Sequence, residues 1–269
     1  MHGTINTTSE GALRIHTYTA PDDGWGVNSH IIELATQTIV IDAQYTLVYG
    51  RDVVDYANAL GKPISRLYVT HYHPDHLLGA AAFPVPIHAL AEVKKKIDLV
   101  GDRVAREEHE KFPETIPTHA EKPSLIVTPG SETIDGVKFD FLQLQHAETE
   151  NALMLAFPEH GILITQDLIY HGIHVFLGEQ SFDTWLEGLA HYQSLSYRKI
   201  LPGHGPPGGP ELYDEMRDYL TTARETLAAS RDGAEFKARM ISAFPHFGGH
   251  ALLDHQRRFL FPHPKEAPE

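Results

Sequence analysis

"RLYVTHYHPDHLLGAAAF", residues 66–83, places three histidines and an aspartate within positions 71–76, directly after an apolar run that reads as a buried strand. In extended backbone, residues i and i+2 point the same way, so His71 and His73 can present imidazoles to one point. Pro74 forces a turn, after which Asp75 and His76 face a second point close by. Three imidazole nitrogens and one carboxylate suit zinc or another borderline divalent cation, and a single tetrahedral site would not need two adjacent ligands after the turn. The stretch therefore reads as half of a two-metal site whose remaining ligands come from elsewhere in the chain.

Outward from this stretch, strand and helix patterns alternate. "SHIIEL" (29–34) and "TIVIDA" (38–43) are β-branched runs split by a short polar link, which predicts a hairpin whose second strand ends at Asp42. "RDVVDYANALGKP" (51–63) reads as a helix closed by Gly61 and Pro63, and "ISRLYVT" (64–70) as the strand that delivers the histidines. The segments "SLIVTP" (124–129), "ETIDGVKFDFLQLQH" (132–146), "NALMLAF" (151–157) and "GILITQD" (161–167) read as a four-strand meander with a tight turn at Asp135-Gly136. Residues 181–195 carry Trp185, Leu186, Leu189 and Tyr192 at helical spacing, capped by Ser181 or Asp183, and these apolar residues read as core. "RKILPGHGPPGG" (198–209) reads as a last strand running into a loop, followed by a helix over 210–229. Interleaved strands and helices with hairpins in each half predict an α/β (α+β) fold of two sheets packed face to face with helices outside. No repeat or low-complexity linker breaks the chain, so residues 1–269 read as one domain with a C-terminal helical extension from about 210.

Three later residues lie where a strand runs out into a loop: His146 after "FLQLQ", Asp167 after "ILITQ" and His204 after "KILPG". With them the chain resembles the metallo-β-lactamase superfamily. Its H-x-H-x-D-H signature stands here as His71-Tyr72-His73-Pro74-Asp75-His76, followed by Gly79 and later by Gly203-His204-Gly205. The resemblance implies a four-layer αββα sandwich with two Zn2+ ions, or Mn2+ or Fe2+ in their place. It implies His71, His73 and His146 on the first ion, Asp75, His76 and His204 on the second, and Asp167 bridging. Many relatives carry Gly before the bridging aspartate and Pro-Gly-His-Thr around the lone histidine. Here the residues are Gln166-Asp167 and Gln145-His146-Ala147.

Such a site implies hydrolysis of a carbonyl ester, lactone or thioester through a metal-bridging hydroxide that Asp75 ligates and orients. The carboxylate bridge is similar to that of glyoxalase II and the N-acyl-homoserine lactonases. In the lactonases a tyrosine three residues after the bridge, here Tyr170, donates to the substrate carbonyl; a tyrosine packed in the sandwich rim is the plainer reading. β-Lactam or phosphodiester cleavage are variants on the same site. A mononuclear iron persulfide dioxygenase, using His71, His146 and Asp167, is the alternative of another class, and a non-catalytic metal-binding member is a third. Asp42 reads either as a turn or cap residue or as a carboxylate steadying a ligand histidine.

Composition bounds the rest. The 269 residues contain no cysteine, so any metal is held by nitrogen and oxygen. A formal charge of −14 repels nucleic acid, and the basic run "EVKKKIDLV" (92–100) reads as a solvated helix face. The start of the chain lacks a basic-then-apolar leader and no run is long enough to span a bilayer, which predicts a cytoplasmic protein with no membrane partner and a small-molecule substrate. The oligomeric state stays open, a homodimer being one option. Of the nineteen histidines, His30, His109, His119, His191, His246 and His250 read as surface or structural residues. The pocket is expected to be shaped by 81–120 and 169–179.

Overall fold

Parallel strand pairs need crossover connections, and the crossovers decide which helices cover which face of this protein. A computed structural model describes residues 1–262; the last residues of the expected C-terminal extension, 263–269, lie outside the described residues. One sheet contains seven strands in chain order: β1 (Thr4–Glu10), β2 (Leu13–Thr19), β3 (Asn28–Glu33), β4 (Thr38–Ile41), β5 (Ile64–Tyr68), β6 (Ile87–Leu90) and β7 (Leu125–Val127). The first four pair antiparallel and β4 to β7 run parallel. Their crossovers hold helix α1 (Leu47–Ala59), the single turn α2 (Pro74–Leu77) and α3 (Ala91–His109). The second sheet holds β8 (Gly130–Ile134), β9 (Val137–Gln145), β10 (Asn151–Phe157), β11 (Ile162–Tyr170) and β12 (Lys199–His204). Helix α4 (Phe182–Ser194) crosses from β11 to the parallel β12. The chain ends in α5 (Glu211–Ala229), α6 (Gly233–Ala243), α7 (His250–His255) and α8 (Arg257–Leu260). The result is the four-layer αββα sandwich.

Both faces of the central strands are covered. Every residue of β11 and all but the first of β10 are buried, as expected for strands packed between a sheet and helices. Phe182, Trp185, Leu189 and Tyr192 form the buried face of α4, and the Trp185 indole donates to the Leu168 carbonyl at 2.9 Å. In α3, Val93 and Ile97 face inward while Lys95 is exposed, so the basic run is the solvated face that its spacing predicts. Asp135 and Gly136 both take positive φ, 48° and 80°, the geometry of a two-residue hairpin turn between Ile134 and Val137. Among the described residues no helix is long and apolar enough to cross a membrane.

Two expectations change. "SLIVTP" supplies β7 of the first sheet, parallel to β6, so the meander is β8 to β11. Helix α1 starts at Leu47 rather than 51, because the Thr46 hydroxyl accepts the Tyr49 N–H and caps it. The hairpin of β1 and β2, closed over Gly11 at φ 60°, has no counterpart in the sequence reading. Its threonine-rich outer strand is largely exposed and lacks the apolar alternation that marks a half-buried strand.

On this sheet Glu33 accepts from Lys62 Nζ at 2.9 Å and lies 3.3 Å from His16 Nε2. The Lys62 hydrogen bond, outweighing partial burial, holds the Glu33 carboxyl below its usual value. A depressed carboxylate contributes stability above its unfolded pKa and loses it as pH falls through the folded one. Glu33→Gln is therefore expected to lower stability by about 0.5–1 kcal/mol at pH 7. The deficit should shrink as the pH drops below about 4, measured as the difference in thermal midpoint between variant and wild type.

Candidate metal centre

The loop after β5 is held between the two sheets before any histidine is placed. Thr70 gives its carbonyl to the Leu153 N–H of β10, at 2.9 Å, and receives Asp42 on its other side. Asp42 follows β4 directly, is fully buried and has φ 63°. Its Oδ1 accepts the Thr70 N–H at 2.7 Å; its Oδ2 accepts the Thr70 hydroxyl at 2.8 Å, His76 Nδ1 at 2.7 Å and the Gln166 side-chain amide. Of the two readings of Asp42, the structure shows the one in which it steadies a histidine. Gly79 is held equally closely: a Cβ there would stand 2.1 Å from the Ala43 carbonyl oxygen.

These bonds fix which nitrogen each imidazole presents. The Thr70 hydroxyl spends its proton on Asp42, so His71 Nδ1, 3.1 Å away, must donate to it. His76 Nδ1 donates to Asp42, and His204 Nδ1 donates to the Trp25 carbonyl at 2.9 Å. The Nε2 atoms of His71, His76 and His204 therefore point inward, where all three are buried without a hydrogen-bond partner. Glu148 Oε1 and Oε2 and Asp167 Oδ1 are left in the same condition. Buried polar atoms are seldom left so, and a convergent set of six is what a bound cation would satisfy.

The donors form two adjacent sets. Atoms of His71, His73, Glu148 and Asp167 lie within 4.8 Å of one another, as do those of Asp75, His76 and His204. Asp167 reaches into both: its Oδ1 is 3.3 Å from His76 Nε2, and its Oδ2 is 3.4 Å from His204 Nε2 and 3.7 Å from His71 Nε2. His73 Nδ1 lies 2.8 Å from Glu148 Oε1. Six of the seven ligands named from the sequence thus meet in one cleft.

His146 does not join them. It is exposed, its φ is 53°, and it takes part in the β9–β10 turn through its backbone, with its N–H donating to the Glu150 carbonyl at 3.1 Å. The left-handed residue throws its side chain outward, and the chain folds back to put Glu148, 2% exposed, where the histidine was expected. The sequence signal was the absence of Pro-Gly-His-Thr around His146, which left its place in the turn unsupported. Gln166, standing where relatives carry Gly, adopts φ 44°, so the backbone geometry is kept and its amide is used on Asp42. The Gly203 that precedes His204 is obligatory: a Cβ would meet Asp167 Oδ1 at 1.8 Å.

Electrostatics match a cationic occupant. Burial alone would raise the Asp75 and Asp167 carboxyls, but His76 and His204 outweigh it and hold both well below the usual range. Burial would lower His76 and His204, yet Asp167 and Asp75 outweigh it, raising His76 well above its ordinary value and His204 to about 9. Protons thus occupy positions that suit positive charge. Burial pushes Glu148 up to about 7 against the pull of His73. His71, with burial and His76 acting together, is held neutral.

Tyr170 is 2% exposed and gives its hydroxyl proton to Asp167 Oδ2 at 2.7 Å, with its ring stacked 4.2 Å over His204. Its hydroxyl thus supports the Asp167 carboxylate in this structure. In front of the cluster lies a cavity of about 380 Å³. His73, Asp75, Glu148 and Tyr170 line its end at the cluster, Trp25, Tyr72, Phe176 and Phe259 its aromatic walls, and Arg103 of α3 and Arg258 of α8 stand there ion-paired with Glu107 and Glu108. Segments 81–120 and 169–179 both contribute, as expected; Leu252, His255, Arg258 and Phe259 of the C-terminal extension add a wall that the sequence did not indicate.

A family model for the metallo-beta-lactamase superfamily matches residues 22–204. The chain is 25% identical over 243 residues to a linear primary-alkylsulfatase from Pseudomonas sp., a match covering 75% of this chain and 45% of that protein. The chain therefore spans less than half the length of that relative. Among solved structures, a metallo-beta-lactamase from Pontibacter korlensis superposes with a TM-score of 0.62 at 17% identity, covering 81% of this chain and 99% of the other. The metallo-beta-lactamase FIM-1 from Pseudomonas aeruginosa, in a mono-zinc form, gives 0.59 at 20% identity, covering 83% and 98%.

Because Tyr170 holds Asp167, Tyr170→Phe is expected to weaken metal binding by about 10- to 100-fold, the range for partners that orient ligands. At full metal loading kcat should stay within about threefold of wild type, far from the change that follows loss of an oxyanion donor. Zinc titration paired with kinetics at saturating zinc checks this; a hundredfold fall in kcat at full loading would return the hydroxyl to the substrate.

Proposed function

The chain belongs to the metallo-beta-lactamase superfamily, and from that premise we propose that it is a hydrolase that uses two divalent cations, zinc first among them, to cleave a carbonyl ester, lactone or thioester. The observation that carries this reading is Asp167, whose two oxygens face the two donor sets at 3.3–3.7 Å. His71, His73 and Glu148 would hold one ion, Asp75, His76 and His204 the other, and Asp167 both. Three carboxylates and four neutral imidazoles leave a centre with one net positive charge when two divalent cations are bound. Such ions supply Lewis acidity toward the scissile group and bring a water near its ionised state at neutral pH.

The protein's own groups would do the rest. Asp75, 5% exposed at the inner end of the cavity, would orient the attacking water. Asp42 and the Trp25 carbonyl keep His76 and His204 in the tautomer that presents Nε2 inward. Tyr170 fixes the shared carboxylate. Phe176, 5.2 Å from His73 and 5.5 Å from Phe259, begins an aromatic wall that runs outward from the reacting end. That wall suits a small-molecule ester with an apolar body.

A second reading is a sulfate ester carrying an alkyl chain. It is favoured by the alkylsulfatase among the relatives and by the apolar wall of the cavity. A screen of carboxylic esters, lactones, thioesters, alkyl sulfates, β-lactams and phosphodiesters on zinc- and manganese-loaded protein separates the classes. One iron equivalent with oxygen uptake on a persulfide would instead move the protein to oxidation. Against the best substrate, Asp75→Ala is expected to cut kcat at least about a hundredfold, the scale of losing one charge-stabilising group in an active site. Its circular dichroism should match wild type, since the buried sheets carry most of the apolar burial. Near-wild-type turnover in that variant would defeat the mechanism.

A further inference from the structure

We propose that Asn28 is a positioning residue for one half of the metal centre: it clamps the Gly203–His204 end of β12 from the opposite sheet and so places His204 in the second donor set, beside Asp75 and His76. The inference rests on the two-metal reading above and adds a residue that lies outside every motif of the sequence.

Asn28 opens β3 and is fully buried. Its amide nitrogen donates to the Pro202 carbonyl at 2.8 Å and to the Gly205 carbonyl at 2.6 Å, so one side chain brackets the two residues between them. Carbonyls can only accept, which fixes the amide orientation, and the remaining oxygen accepts the Thr19 hydroxyl at 2.6 Å across the β2–β3 pair. All three hydrogen-bonding positions used are therefore assigned by the chemistry of the partners. His30 Nε2 lies 3.1 Å from the same Pro202 carbonyl, seconding the contact on the β12 side.

The clamp matters because the end of β12 pairs only irregularly with β11. The β11–β12 pairing slips in register between Ile164 and Gln166 and again before Tyr170↔His204. A single isolated bridge, Val27↔His204, and the Gly205 N–H to Gly26 carbonyl bond at 2.9 Å tie the segment to the other sheet. The tolerance is small: the turn presses on Asp167 closely enough that a Cβ on Gly203 would overlap its Oδ1. His204 Nε2 in turn stands 3.2 Å from Asp75 Oδ2 and 3.4 Å from Asp167 Oδ2. Releasing the two carbonyls frees the backbone that carries that imidazole. Of the donors only His204 is carried on the segment that Asn28 holds; His71, His73 and Glu148 arrive on the β5 loop and the β9–β10 turn, so the larger effect falls on the set that contains His204.

The test counts metal and needs no substrate, so its failure is separable from failure of the hydrolase reading. Wild type, Asn28→Leu and the milder Thr19→Val, which keeps the amide but removes its anchor, are titrated with zinc and with cobalt, and metal content and the cobalt absorption spectrum are recorded. Wild type is expected to bind two equivalents. Asn28→Leu is expected to keep one site at wild-type affinity and weaken the other by about 10- to 100-fold, the range for lost ligand-orienting contacts. Thr19→Val should show the same asymmetry to a smaller degree, and serves alone if Asn28→Leu does not fold. Two equivalents at wild-type affinity in the folded variants, or equal weakening of both sites, would overturn the clamp. A wild-type chain that binds fewer than two equivalents would overturn the two-metal premise itself.

Discussion

The carboxylate of Asp42 is the interaction on which the rest of the centre depends. It is fully buried, and burial raises its pKa against the pull of His76 and Thr70, so its charge is maintained only by the donors around it. Those donors come from three places: the loop after β5, the turn α2 and strand β11 of the other sheet. One residue at a strand end therefore joins the two sheets, sets the tautomer of His76 and, through the Thr70 hydroxyl, that of His71. A buried ion is expensive without full hydrogen bonding, and here that requirement is what ties the ligands to the fold.

The same logic accounts for the charge of the site. The imidazoles of His71, His76 and His204 are held from behind by Thr70, Asp42 and the Trp25 carbonyl, so that their Nε2 atoms converge on a region already lined by Asp75, Glu148 and Asp167. In such surroundings His76 and His204 retain protons that burial alone would strip. The fold thus presents an acidic, dry cluster whose demand for positive charge is built in before any ion arrives. The cavity in front of it adds aromatic walls, part of them from the C-terminal helices.

Much of this was legible in the residue order, for physical reasons. The signature at 71–76 follows a short buried strand, and its residue types and spacing mark a metal site although His71 and His73 lie in the loop beyond that strand; the hairpin, the Asp135-Gly136 turn and the buried face of α4 follow from period and turn chemistry. What could not be read depends on backbone signs. Whether the β9–β10 turn delivers His146 or Glu148 is decided by one left-handed residue, which the sequence marks only by what is missing around His146. The outer strand β1 is largely exposed, so its polarity resembles that of a loop, and which sheet β7 joins is decided by pairing far along the chain. The contribution of α7 and α8 to the cavity is a matter of long-range packing, invisible to any window of sequence.

Backbone strain links these points. Trp25, Asp42, Gln44 and Gln166 all take positive φ, and all four stand in or directly behind the metal centre. For residues with a Cβ such conformations cost roughly 1–3 kcal/mol each, and they persist where surrounding bonds over-determine them. Here each has its compensation. The Trp25 carbonyl accepts from His204, Asp42 and Gln166 bond each other, and Gln44 donates to the Val27 carbonyl at 3.2 Å and to the Ser29 hydroxyl at 3.0 Å. Glycine at position 166 would relieve the strain but would remove the amide that faces Asp42. A glutamine in a glycine-favouring conformation is therefore no local defect: it exchanges backbone ease for one more donor to the buried carboxylate that holds the histidines in place.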